Sequence, residues 1–120
     1  MNIEKFTVAA RNIISASQLL AAKYNHQQIL PLHLLSCLLQ EESGIIVNLI
    51  NKLGVDISLV KLRVDKELES IPQVQIHGSG GQVTLSSEGL KVLEKAISLS
   101  KDNKDSFTTI EKIFEAISFD

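Results

Sequence analysis

Residues 6–39 read FTVAARNIISASQLLAAKYNHQQILPLHLLSCLL, and residues 85–117 read LSSEGLKVLEKAISLSKDNKDSFTTIEKIFEAI. In its apolar positions the second stretch repeats the first. Phe6-Thr7, Ile13, Ile14, Ser17 and Leu20 return as Leu85-Ser86, Val92, Leu93, Ala96 and Leu99, an offset of 79 residues. Ile29, Leu32, Leu35 and Leu38-Leu39 return as Phe107, Ile110, Ile113 and Ala116-Ile117, an offset of 78. A single one-residue gap in the connecting loop therefore aligns the two copies. Such a repeat predicts a pseudo-symmetric helical module with a seam between its halves, where a partner can bind.

Working outward, Thr7 is placed to cap a helix whose stripe steps through Ala10, Ile13, Ser17, Leu20 and Tyr24. Pro31 suits the first turn of a second helix running to about Gln40, with Leu32, Leu35, Leu38 and Leu39 on one face. A third helix starts at Ser43-Gly44, buries Ile45, Ile46, Leu49, Ile50 and Leu53, and stops at Gly54. Asp56 caps a fourth, which ends at Ile71 because Pro72 prevents its continuation. Periodicity then disappears from Pro72 to Thr84, a connector carrying His77-Gly78-Ser79-Gly80-Gly81. Ser86 or Ser87 opens the fifth helix, which runs to about Lys101. Thr108 with Glu111 three residues on predicts a capping box for the sixth.

The expected fold is all-α: a duplicated four-helix repeat forming one domain over 1–120, with repeat one at 1–71, a connector at 72–84 and a partial repeat two at 85–120. The second repeat stops after two helices. The chain thus reads as shortened, or as the front piece of a longer polypeptide, with apolar surface on its last helices open to self-association.

Composition narrows the function. With 44% hydrophobic and 22% charged residues the chain is ordinary globular sequence, and with five aromatics and no Trp its core is aliphatic. A net charge of -2, with Lys and Arg scattered among Asp and Glu, disfavours nucleic acid. Cys37 is the only cysteine, which excludes an internal disulfide. No apolar run is long enough to span a bilayer, and Met1 to Lys5 lack a signal peptide's hydrophobic region, so the cytoplasm is the expected compartment. The mixed charges of the fourth helix (Lys61, Arg63, Asp65, Lys66, Glu67, Glu69) make a solvated face, not a membrane-binding one.

No catalytic arrangement is legible. Cys37 and His33 lie four apart on one helix, but among Leu34, Leu35, Leu38 and Leu39 they read as a buried thiol beside a half-buried imidazole. His26, His33 and His77 lack ligand spacing for a metal. Gly78 to Gly81 has neither a preceding strand nor a following Lys-Ser/Thr, so it is no phosphate cradle.

Phe6-Thr7, Pro31-Leu32-His33-Leu34-Leu35, Ile71-Pro72-Gln73-Val74 with Gly78 to Gly81, Leu85-Ser86 and Asp105-Ser106-Phe107 together resemble the Clp amino-terminal domain family. Within it the connector is most similar to the ClpB-type disaggregase branch. The resemblance implies a non-enzymatic, substrate-binding N-terminal domain joined to the ATPase rings of a homohexameric AAA+ chaperone. It also implies unfolded or aggregated polypeptides as partners and cooperation with a DnaK-type chaperone system. ATP and Mg belong to the full-length protein, with no cofactor in this domain. By the same resemblance Thr7, Asp105 and Glu111 match a polar set that handles substrate, and Leu93 an apolar position lining the groove between repeats. Thr7 and Glu111 also read as capping residues, Asp105 as a carboxylate ahead of a helix, and Leu93 as core. Lys112 stands where related domains often carry an apolar residue. The alternative is an adaptor-docking domain of a ClpA- or ClpC-type unfoldase that works with a protease.

Overall fold

The computed structural model describes residues 2–74 and 82–118. After a short 3-10 turn at Ile3–Lys5 come α1 (Val8–Lys23), β1 (Gln28–Ile29), α2 (Pro31–Leu39), α3 (Ile45–Lys52), α4 (Ile57–Ser70), β2 (Thr84–Leu85), α5 (Ser87–Asp102) and α6 (Ile110–Ser118). The fold is all-α, as the periodicity predicts, with two-residue strands serving only as stitches. The glycine-rich part of the connector lies outside the described residues.

Helix α1 packs chiefly on α2, and α5 on α6, so each long helix is paired with the short one that follows it. The two pairs are built alike. Thr7 accepts from the Ala10 N–H at 3.1 Å, and Ser86 from the Gly89 N–H at 2.9 Å, each filling one orphan donor of its helix. Both long helices end in a residue with left-handed backbone, Asn25 (φ 58) and Lys104 (φ 60). The next N–H then turns back to the last turn, His26 to Ala21 O and Asp105 to Ser100 O, both at 2.9 Å. Such reversals end each long helix ahead of the short helix that packs on it.

The pairs are stitched crosswise. β1 runs parallel to β2, with Gln28 beside Thr84 and Ile29 beside Leu85, and a second parallel bridge joins Phe6 to Thr108. One core results, in which Phe6, Leu34, Leu38, Ile46, Leu93 and Ile113 are fully enclosed. Each such aliphatic or aromatic side chain contributes about 1.5–3 kcal/mol through burial.

Five sequence expectations are corrected. The 79-residue offset holds throughout, with Pro31 of α2 matching Ile110 of α6, so the one-residue gap is absent. Thr108 fills the bridge position that Ile29 fills in the other stitch, and it is buried, whereas Phe107 is 55% exposed. An extended bridge requires a residue that can bury there and hydrogen-bond along its backbone, which hydrophobicity matching overlooked. Of the face expected on α2, Leu38 and Leu39 are buried as predicted, whereas Leu32 and Leu35 are only partly buried and His33, Leu34 and Ser36 are buried in addition.

On α6, the Thr108–Glu111 capping box does not form. Thr109 immediately precedes the helix, and its hydroxyl accepts from the Lys112 N–H at 3.4 Å. A Thr108→Ala, Glu111→Ala double-mutant cycle is therefore expected to show coupling within about 0.5 kcal/mol of zero in urea unfolding, the level for independent sites. Coupling near 1 kcal/mol would restore the box. On α3 only Ile46 and Ile50 are buried; Ile45, Leu49 and Leu53 are exposed because one face of this short helix meets α2, α4 and α6.

Candidate functional site

The bridge between Phe6 and Thr108 gathers most of the residues singled out from sequence. Thr7 donates its N–H to Thr108 O at 3.0 Å, and Thr108 donates to Lys5 O at 2.7 Å. Those bonds set Thr7 against a segment that carries Asp105 three residues before Thr108 and Glu111 three residues after it. Asp105 and Glu111 are exposed. Glu111 lies in the first turn of α6, where a carboxylate meets the positive helix end. Flanking the same bridge, Val8 is 64% and Phe107 55% exposed. Two exposed apolar side chains and two exposed carboxylates thus lie within three residues of the bridge in sequence. Phe107, which its hydrophobicity assigned to the core, is exposed instead.

Leu93 stands apart. It is fully buried on the core side of α5 and offers no surface to a partner. Thr7 is half-buried and its hydroxyl caps α1, so Thr7→Ala is expected to lower stability by about 1 kcal/mol, measured as the shift in urea midpoint.

A further apolar surface lies between α2 and α4. Leu32, Leu35, Val55, Leu59, Val60 and Val64 line a hollow of about 390 Å³ between α2 and α4. Leu59 and Leu62 are more than half exposed beside it. Arg63 and Glu67 on this rim pair at 3.5 Å, but both are solvated and the contact adds little stability.

Buried polarity concentrates on two histidines. His26 Nδ1 and His33 Nε2 lie 2.8 Å apart, and the Leu30 N–H donates to His33 Nδ1 at 2.9 Å. Since that N–H can only donate, neutral His33 carries its proton on Nε2 and donates to His26 Nδ1. His26 then carries its own proton on Nε2, which is buried and has no partner. Burial, reinforced by His26, pushes the His33 imidazole down to about 4. Tyr24 stacks on His26 with ring centroids 5.3 Å apart.

His33 thus turns to His26, not to Cys37, whose thiol meets Ser17 and is raised by burial. A raised thiol is a poor nucleophile, so Cys37 is expected to react with iodoacetamide at pH 7.4 well below the rate of a free cysteine. In the second pair the equivalents of His26 and His33 are Asp105, in the loop before α6, and Lys112, which pairs with Glu115 at 3.2 Å. Among the described residues no three His, Cys, Asp or Glu side chains are placed to hold a metal ion. No described helix is long and apolar enough to cross a membrane.

Two stitched helix pairs around one aliphatic core define a small all-α domain. Residues 5–120 match the model of the Clp repeat (R) N-terminal domain, and the chain belongs to that family. Across all 120 residues it is 63% identical to the chaperone protein ClpB of Rickettsia conorii. It is 60% identical over 119 residues to the chaperone protein ClpB of Rickettsia felis. The chain spans 14% of the length of each. Among solved structures, the Hsp104 N-terminal domain from Candida albicans superposes with a TM-score of 0.84 at 26% identity, covering 94% of this chain and 73% of that one. The ClpV1 N-terminal domain from Escherichia coli gives 0.86 at 14% identity, covering 98% and 69%, which shows the shared fold alone.

Proposed function

We propose that these residues form the client-engaging N-terminal domain of a ClpB-type AAA+ disaggregase. In this reading the domain captures unfolded or aggregated polypeptide in the cytoplasm and passes it to the ATPase rings of a homohexamer working with a DnaK-type chaperone system. ATP and Mg²⁺ would be held by those rings, and this domain would do no chemistry. The observation that carries the reading is the match of the whole chain to ClpB at up to 63% identity. The exposed Val8 and Phe107 beside Asp105 and Glu111 supply a surface suited to it. A patch of this size buries little area, so each contact is weak, and avidity comes from several copies around a ring.

The test is fluorescence anisotropy of a labelled, permanently unfolded protein titrated with the domain. Asp105→Ala combined with Glu111→Ala is expected to weaken binding about three- to tenfold while shifting stability by less than about 1 kcal/mol. Unchanged binding in that variant contradicts the assignment of the surface. Tight binding of a folded adaptor, with no affinity for the unfolded protein, would favour the ClpA/ClpC-type role.

A further inference from the structure

His26 lies in the segment to which both ends of the connector are tied. Val74 donates its N–H to Asn25 O at 2.8 Å, Thr84 to Gln27 O at 3.1 Å, and Ser86 to Ile29 O at 3.1 Å. The Ser86 hydroxyl also donates to Ile29 O, at 2.7 Å. What fixes this segment from below is the chain of two imidazoles, Leu30 N–H to His33 Nδ1 and His33 Nε2–H to His26 Nδ1. Every acceptor in that chain is a lone pair of a neutral ring. A proton added to His33 would go on Nδ1, facing the Leu30 N–H at 2.9 Å; one added to His26 would go on Nδ1, facing the His33 N–H at 2.8 Å. Either way two donors oppose each other inside the protein.

The geometry points to an acid-sensitive latch: the neutral His26–His33 pair holds residues 25–29, and charging His33 releases that segment together with the connector ends at Val74 and Thr84–Ser86. The groups facing the pair do nothing to offset such a charge. From the end of α1 there is Tyr24, stacked on His26; from α2 there is Cys37, which turns to Ser17; Lys23 beside them is exposed. Among the described residues no carboxylate forms an ion pair or hydrogen bond with either ring. The device is independent of what the outer surface binds.

The sign follows from the lowered imidazole. A ring that titrates near 6.5 when released, and only near 4 when latched, favours the latched form fully above pH 6.5 and loses that advantage as pH falls toward 4. Release therefore gains about tenfold per pH unit across that window. Two measurements test it. Long-range ¹H–¹⁵N spectra of the histidine rings at pH 7.5 should show both rings neutral, with both Nδ1 atoms unprotonated; a proton on either Nδ1 overturns the latch. Amide exchange by NMR should show opening at Val74, Thr84 and Ser86 rising as pH drops from 7 to 5, after correction for intrinsic exchange, while staying more frequent than opening at Ile46 and Leu68, which report global unfolding. In the double variant H26Q/H33Q that rise should vanish. Opening at these amides that does not change with pH in the native chain, or that coincides with global unfolding, or that keeps the same slope in the variant, overturns the proposal; if the variant does not fold, the native exchange and the ring spectra still decide it.

Discussion

Gly89→Val is expected to destabilise the domain by more than about 3 kcal/mol, enough to lower its urea midpoint sharply. A Cβ at Gly89 would sit 2.8 Å from Ile29 O, 2.9 Å from Leu85 Cδ1 and 3.1 Å from Ser86 Oγ. The leucine methyl could swing aside. Ile29 O could not, because it accepts from both the Ser86 N–H and the Ser86 hydroxyl and so forms the stitch between the helix pairs. Even alanine should lose more from this contact than the roughly 0.5–1 kcal/mol that replacing a helical glycine normally gains. The equivalent position in the other pair provides the control. Ala10 carries its Cβ fully buried, so Ala10→Gly should cost only about 1 kcal/mol. Equal losses at the two sites would show that the second stitch does not depend on a missing side chain.

Leu93→Ala is expected to cost about 2–5 kcal/mol, the range for truncating an enclosed leucine whose surroundings relax only in part. Leu93 is fully buried with Val92 and Ala96 on the core side of α5. Affinity for an unfolded client, corrected for the fraction folded, should then be unchanged. Phe107→Ser makes the opposite case: stability should stay within about 0.5 kcal/mol, because the ring is largely in water, while client affinity falls. A Leu93→Ala domain of native stability that no longer binds clients would instead return Leu93 to the contact surface.

Helix limits were readable because backbone needs at helix ends are local. Thr7, Asp56 and Ser86 each cap the helix they precede, and Gly54 adopts a left-handed φ of 77 just after α3. What escaped the sequence depends on contacts from elsewhere in the chain. The five leucines of α2 lie within about 160° of arc, opposite His33, Ser36 and Cys37, but His33 and Ser36 are buried as well, so polarity does not mark the outward side and the phase slips by one residue. The same slip moved the cap of α6 from Thr109 to Thr108, since both are threonines and only the bridge to Phe6 tells them apart.

The histidine pair was invisible for a related reason. Seven positions separate His26 from His33, two turns on a continuous helix, but His26 precedes β1 and only His33 lies in α2, so helical periodicity does not pair them and no metal motif does. Of the candidate site, Thr7, Asp105 and Glu111 were legible through the family resemblance and meet around one bridge. Phe107 and Val8 were not, because an exposed hydrophobic residue looks in sequence like a core one.

The most direct test of client engagement is a ¹⁵N NMR titration of this chain with one model protein in two states, reduced and unfolded or native. Weak, saturable shifts confined to the amides of Thr7, Val8, Asp105, Phe107 and Glu111, produced by the unfolded state alone, are the predicted result. Equal shifts from the native state, or shifts that leave those five amides still while others move, would contradict it.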